Sequence, residues 1–83
     1  MISFITIDLL TGAHNLRAKT NRPKRWKVRV TATQGDVKDV YTFELKQACT
    51  LGSVREQLST LVWTEISELQ GRNFDSVICE VGV

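Results

Sequence analysis

Two stretches of alternating apolar and polar residues, separated by Gly35-Asp36, constrain the fold of this chain more than any other feature. In residues 24–33 and 38–46 an apolar side chain recurs at every second position, which is the period of a half-buried β-strand. Gly35-Asp36 suits a tight two-residue turn. The two stretches therefore predict a β-hairpin.

The turn also predicts the register of the hairpin. It pairs the apolar residues of the two strands on one face: Trp26 with Leu45, Val28 with Phe43, and Val30 with Tyr41. The same register sets Lys27 opposite Glu44 on the other face, where the pair offsets a little of the positive charge. A slip of one residue would move every apolar side chain to the wrong face, so we expect this register to hold.

A helix is predicted at residues 54–70. Ser53 and Glu56 stand in the Ser-x-x-Glu relation of a capping box, and Gly71 is typical of the residue that follows a helix. At the helical period six apolar side chains form one stripe, which we expect to pack on the apolar face of the hairpin. The stripe consists of Val54, Leu58, Leu61, Val62, Ile66 and Leu69.

Residues 2–10 and 75–83 predict two further strands. Residues 2–10 are apolar on both faces, which indicates a strand inside the sheet. With the helix as a right-handed crossover, we expect the last strand to run parallel to the first and third strands, in the order 3-2-1-4. The sequence thus predicts one α+β domain over residues 1–83, with a four-stranded mixed sheet and one helix on one face (β-β-β-α-β).

Charge is distributed unevenly along the chain. Seven of the 11 Lys and Arg residues lie within residues 17–29, which contain no acid, and nine Asp and Glu residues accompany four bases elsewhere. Residues 11–23 are predicted to form a long basic loop, because Gly, Asn and Pro interrupt them and their apolar residues follow neither the helical nor the strand period. The loop and the strand after it predict one basic surface, formed by Arg17, Lys19, Arg22, Lys24, Arg25, Lys27 and Arg29.

This basic surface allows three interpretations. It can neutralise the phosphates of a nucleic acid, or it can meet an acidic protein surface. It can also be a plain solvated face that protects the sheet from edge association. The face lacks an aromatic side chain on which bases could stack, since Trp26 and Tyr41 point to the helix by parity. That lack favours a protein partner.

Trp63 lies off the apolar stripe of the predicted helix. Its neighbours on that face are small hydroxyl residues, with no Lys or Arg among them: Ser59, Thr60, Thr64 and Ser67. Interfaces are enriched in Trp and depleted in Lys, so Trp63 indicates a contact face for a foreign partner or for a homodimer. The alternative is a ring that lies flat on the helix or packs under the basic loop.

Catalytic and metal sites find little support in the sequence. A nucleophile, a base and an orienting group must come together for catalysis, but His14 is the single histidine and lies in a turn-like segment. Cys49 and Cys79 show no metal-ligand spacing, and no glycine-rich phosphate loop is present. We therefore expect no enzymatic activity, no cofactor and no metal.

The N-terminal apolar run does not resemble a signal sequence, because it contains Asp8 and lacks a basic start. No stretch approaches the about 20 apolar residues of a membrane helix. Two isolated cysteines are typical of a reducing compartment, where they remain unpaired. We expect a cytoplasmic protein that does not enter a membrane.

In its small size, lack of motifs and one-sided charge, the chain resembles the accessory inhibitors made by phages and mobile elements, anti-CRISPR proteins among them. The resemblance covers size and chemistry, and no sequence motif carries it. It implies a non-catalytic protein that occupies the acidic surface of a partner protein or of a nucleoprotein complex. The alternative is a small nucleic-acid-binding module that uses the basic surface on phosphates.

Overall fold

A computed structural model of the chain describes residues 3–16 and 22–83. Within these residues it contains five β-strands, one α-helix and one short 3-10 helix. The strands are β1 (Ser3–Asp8), β2 (His14–Leu16), β3 (Lys27–Gln34), β4 (Val37–Glu44) and β5 (Ser76–Gly82). The α-helix, α1, spans Leu51–Glu65, and the 3-10 helix spans Ser67–Leu69.

The predicted hairpin is confirmed as β3 and β4. Gly35 in its turn has a φ of 59°, a left-handed conformation that glycine adopts without steric cost. The predicted register is also confirmed, since Val28 lies opposite Phe43 and Lys27 lies opposite Glu44. Local alternation and a two-residue turn were therefore sufficient to predict this part of the sheet.

The order and direction of the remaining strands differ from the prediction. The described strands lie in the order β2-β1-β5-β3-β4, and each neighbouring pair is antiparallel. The predicted four-stranded mixed sheet in the order 3-2-1-4 is therefore wrong. Strand β5 does lie beside β1, but antiparallel to it and inserted between β1 and the hairpin. Its side chains Val77, Cys79 and Val81 are fully buried, and a central position gives them neighbours on both sides.

Strand β2 lies in the stretch predicted to be a loop, and it pairs with β1 at the second edge of the sheet. A tight turn brings it back along β1. The Asp8 carboxylate accepts hydrogen bonds from the backbone N–H groups of Leu10 at 2.9 Å and Thr11 at 3.2 Å, and Gly12 has a φ of 80°. A strand of three residues is too short to show a period, so alternation could not reveal it.

Helix α1 begins three residues earlier than predicted. Its N-cap is Thr50, whose hydroxyl oxygen accepts a hydrogen bond from the backbone N–H of Ser53 at 3.3 Å. The predicted cap at Ser53 is therefore wrong, and Ser53 lies within the first turn. The earlier start buries Leu51, which is 4% exposed, and the burial of this apolar side chain stabilises the longer helix. A capping pattern in the sequence does not reveal this contribution.

The α-helix also ends earlier than predicted, at Glu65. Ile66 leaves helical geometry with φ −118° and ψ 82°, and the 3-10 turn that follows buries Leu69. Gly71 has the positive φ of 75° expected beyond the helical segment. No helix in the described part of the chain has the length and apolar content needed to cross a lipid bilayer.

The core lies between α1 and one face of the sheet. Five of the six predicted stripe residues are buried and Leu61 is half-buried. Trp26 is fully buried, and its indole N–H donates to the backbone oxygen of Cys49 at 2.7 Å. The Phe4 ring packs edge-on against Trp26 with 5.5 Å between ring centroids. This packing leaves the other face of the sheet uncovered by any described helix.

Candidate functional site

The sheet face that points away from α1 forms a regular surface, which we call the outer face. It is lined by side chains that alternate with those of the core: Thr6, Lys27, Arg29, Thr31, Lys38, Val40, Thr42, Ile78 and Glu80. Charged and β-branched side chains thus lie side by side on this face of the sheet. Val40 is 59% exposed on it.

Two cations of the predicted basic surface are already paired with carboxylates on the outer face. Arg29 donates from Nε at 3.1 Å and from Nη2 at 2.8 Å to Oε1 of Glu80. Arg25 lies 3.5 Å through Nη2 from Oε1 of Glu44, and its Nε donates to the backbone oxygen of Leu45 at 3.0 Å. The outer face is therefore much closer to neutral than the local sequence indicates.

Lys27 lies between these two pairs and is the exception. It is exposed, and within the described residues no carboxylate oxygen forms an ion pair with it. Glu44 lies opposite Lys27 in the ladder but forms its ion pair with Arg25 instead. A shallow depression of about 400 Å³ surrounds this position, lined by Lys27, Val28, Arg29, Thr42, Phe43 and Glu44. An ammonium group and a hydroxyl group are thus available in one open site.

Lys24, another of the predicted basic residues, does not join this site. Lys24 is half-buried, and its Nζ lies 5.6 Å from the ring centroids of both Phe4 and Trp26. It covers the rim of the core in this position. Arg22 is exposed just before it. The positions of Arg17 and Lys19 lie outside the described residues.

Trp63 is half-buried and packs against the core. Its backbone oxygen accepts a hydrogen bond from the side-chain amide of Gln70 at 2.6 Å. Because α1 covers the face of the sheet opposite to Lys27, Trp63 and the outer-face cations lie on opposite sides of the molecule. The structure therefore does not bring Trp63 together with the described cations of the outer face.

Sequence patterns did not reveal a second depression, which lies between α1 and the segment that follows β4. It has a volume of about 460 Å³, and its lining includes Leu45, Cys49, Gln57, Leu61 and Glu65. The lining residues come from two elements that only tertiary packing brings together. Its mixed polar and apolar lining contains no cluster of catalytic groups.

The chemically reactive side chains are dispersed. His14 is exposed on β2, opposite Ile7 of β1. Burial raises the pKa of the Cys79 thiol to about 12, and the negative charge of Asp8 adds to the shift. This thiol therefore stays protonated and is a poor nucleophile at neutral pH. Within residues 3–16 and 22–83, no group of three or more His, Cys, Asp or Glu side chains could hold a metal ion.

Comparison with known proteins finds no family model, no curated protein and no solved structure that matches this chain. The function is therefore inferred from the geometry of the outer face.

Proposed function

We propose that this protein is a small non-catalytic binding protein that occupies the acidic surface of a partner protein, as inhibitor-type accessory proteins of phages and mobile elements do. The observation that carries the proposal is the exposed ammonium group of Lys27, which forms no ion pair with a described carboxylate and lies on a sheet face that no described helix covers. On one side of it Arg29 is held by Glu80 at 2.8 Å, and on the other side Arg25 forms a longer ion pair of 3.5 Å with Glu44.

The paired arginines contribute to recognition through their remaining donors. A guanidinium group has five N–H donors, and the contacts of Arg29 with Glu80 use only part of them. An arginine that is already held by a carboxylate loses less side-chain freedom when a partner binds. A partner carboxylate can therefore bind Lys27 and also accept a hydrogen bond from a neighbouring guanidinium group.

The alternation of charge on the outer face favours a protein partner. Glu44 and Glu80 lie beside the cations, and they would repel a uniform polyanion while pairing with scattered cations of a protein surface. Complementary charges of both signs fix the orientation of a partner and exclude wrong partners. We therefore assign the outer face to an acidic protein surface that also carries some positive charge, alone or within a nucleoprotein complex.

Nucleic-acid binding is the second candidate, and the observation that favours it is the run of cations without an acid from Arg22 to Arg29. Two features of the described residues count against it. The aromatic side chains of β4 and its surroundings pack on the core side, so bases have no stacking platform on the outer face. Two of the cations are also paired with carboxylates, which reduces the number of phosphates they can neutralise.

A homodimer through the Trp63 face gains no support from the packing of that side chain. The ring is half-buried against the core of its own chain. A partner that contacts Lys27 also approaches from the other side of the sheet. The proposal therefore does not depend on Trp63.

The test is a comparison of two charge reversals with equal effect on net charge. Lys27→Glu removes the unpaired cation without leaving a carboxylate of the outer face unpaired, whereas Arg55→Glu makes the same change on the exposed face of α1. The partner would be captured from host lysate with the tagged wild-type protein, identified by mass spectrometry, and titrated by calorimetry. We expect Lys27→Glu to weaken binding about tenfold or more and Arg55→Glu to leave it unchanged.

Equal affinity of the wild type and Lys27→Glu would contradict the proposal. The nucleic-acid alternative is tested by titration with duplex and single-stranded DNA and RNA at about 50 mM salt, where phosphate contacts are strong. Binding there, with a salt dependence that becomes less steep in Lys27→Glu, would favour that alternative. A lack of binding would exclude it.

A further inference from the structure

Strand β4 is an edge strand with a long row of unpaired backbone groups. Its only neighbour among the described strands is β3. In an antiparallel ladder, alternate residues direct both N–H and C=O toward the partner strand. The two-residue turn and the 2.9 Å bond from the N–H of Leu45 to the oxygen of Trp26 show that the odd-numbered residues of β4 face β3. The even-numbered residues therefore direct their backbone groups away from the sheet: Lys38, Val40, Thr42 and Glu44.

This edge has only part of the usual protection against pairing. Natural edges are shortened, bulged, interrupted by proline or lined with charged side chains, and of these devices β4 has only the charges of Lys38, Asp39 and Glu44. Strand β4 instead pairs with β3 in one unbroken register over Val37–Glu44 and contains no proline. Val37 and Val40 are 57% and 59% exposed along it. The edge is therefore long, regular and partly apolar.

We propose that a second copy of this chain pairs with β4, antiparallel and edge to edge, about a two-fold axis at Tyr41. In this arrangement Lys38 of each copy lies opposite Glu44 of the other copy. Val40 of each copy lies opposite Thr42 of the other, so that two β-branched side chains meet. The proposal is independent of the proposed partner of the outer face.

Geometry and charge select this register. A two-fold axis perpendicular to the sheet pairs residues whose side chains lie on the same face. Because side chains alternate between the faces, the axis must pass at the position of one residue and not midway between two neighbouring residues. An axis at Val40 would set Asp36 against Glu44, and an axis at Thr42 would set Lys38 against Lys46. Both alternatives oppose like charges, which destabilises cross-strand pairs. The axis at Tyr41 opposes unlike charges twice and pairs all the outward-facing residues of β4.

The existing contacts of Glu44 permit this exchange. Its ion pair with Arg25 is long, at 3.5 Å, and the two side chains are 45% and 59% exposed. Such a pair is weak and can be shared with a second cation. A two-fold dimer also occupies both β4 edges, and among the described strands the other edge of the sheet is β2, with three residues in each copy, so we expect association to stop at two copies.

The register can be tested by disulfide formation in a Cys49→Ser background. Tyr41 residues of the two copies would form a non-hydrogen-bonded pair with Cα atoms about 4.5 Å apart, so Tyr41→Cys should cross-link under mild oxidation. Asp39→Cys is the control on the same strand and face. Its counterpart in the second copy lies four residues out of register and beyond disulfide reach, so no cross-link is expected.

Sedimentation equilibrium tests the charge match. We expect the wild type to dimerise with increasing concentration, and Lys38→Glu to weaken dimerisation at least tenfold because it sets two carboxylates face to face. The double variant Lys38→Glu with Glu44→Lys should restore it, since the opposed charges are only exchanged. Thermal unfolding of each variant verifies that it is folded.

Three outcomes would overturn the proposal. The first is a wild type that remains monomeric at every concentration, and the second is a dimer that Lys38→Glu leaves intact. The third is a dimer in which Tyr41→Cys forms no disulfide, which would place the interface elsewhere. A strand supplied by a different protein would produce the first outcome together with protection of β4 amides in that complex.

Discussion

Arg29 of β3 and Glu80 of β5 lie opposite each other, and two N–H groups of the guanidinium donate to one carboxylate oxygen, at 3.1 and 2.8 Å. Their side chains are 38% and 25% exposed. The pair joins two neighbouring strands that are distant in sequence. It also removes one positive charge from the surface that the sequence predicts to be basic.

We expect this pair to contribute measurable coupling energy. In a double-mutant cycle with Arg29→Met and Glu80→Gln, the coupling should be about 1 kcal/mol in urea unfolding and should fall with added salt, because both groups are partly exposed. The matched cycle uses Arg25→Met and Glu44→Gln, whose ion pair is longer and more exposed. That coupling should stay below about 0.5 kcal/mol, and equal values for the two pairs would contradict the prediction.

The buried indole of Trp26 should be more important for stability than that of Trp63. Trp26→Phe removes the hydrogen bond to the oxygen of Cys49 and leaves a cavity, so we expect a loss of about 2–4 kcal/mol. Trp63→Phe changes a half-buried ring, and its cost should be below about 1 kcal/mol. Urea unfolding of both variants measures the difference. A reversed order would mean that the buried indole of Trp26 is not a main contact of the core.

Two substitutions separate the observed helix cap from the predicted one. Thr50→Ala removes the hydroxyl that accepts from the N–H of Ser53, so it should cost about 1 kcal/mol in unfolding free energy. Ser53→Ala changes a residue inside the first turn and should cost only a few tenths of a kcal/mol. The helical signal in circular dichroism should fall in the same order. A larger effect at Ser53 would support the capping box predicted from the sequence.

The raised pKa of Cys79 has a consequence for stability in alkali. A thiol with a pKa of about 12 in the folded state and 9.0 in the unfolded state stabilises the fold fully below about pH 9. This contribution is lost as the pH rises toward 12, at about 1.4 kcal/mol per pH unit, because the unfolded chain releases the proton first. The wild type should therefore lose stability faster than Cys79→Ala between pH 9 and about 10.5.

Cys49→Ala is the control for this pH series, because it keeps the buried Cys79 and removes the other, half-buried cysteine. The free energy of unfolding of this variant should fall with pH as that of the wild type does. Labelling with a thiol reagent gives a second measurement, in which Cys49 reacts in the native protein and Cys79 reacts only on unfolding. Rapid native labelling of Cys79 would contradict the burial.

The parts of the fold that were predictable depend on neighbouring residues. The alternation in β3 and β4 and the turn at Gly35 lie within one short stretch, and they determine both the hairpin and its register. The apolar stripe of α1 is likewise a local period. Strand β2 and the cap at Thr50 were not predictable, because a short strand has no period and the cap depends on the burial of Leu51.

The candidate site was predictable only in part for the same reason. Parity along the strand placed Arg25, Lys27 and Arg29 on the outer face. The observed register confirms this for Lys27 and Arg29, and Arg25 forms its ion pair with Glu44 of the same face. Parity could not show that Glu80 would lie beside Arg29, because they are 51 positions apart in the chain. Lys24 lies against the rings of Phe4 and Trp26, and this position also follows from tertiary packing.

By itself the sequence determined the strand and helix periods, the hairpin register and the set of cations on one face, since each depends on residues close together in the chain. Only the tertiary structure decided the position of β5, because the burial of Val77, Cys79 and Val81 is satisfied by neighbours that are remote in sequence. That position sets Glu80 beside Arg29, so that Arg29 is paired while the neighbouring Lys27 forms no ion pair with a described carboxylate. The packing of the apolar side chains of β5 thus determined which cations of the outer face are available to a partner.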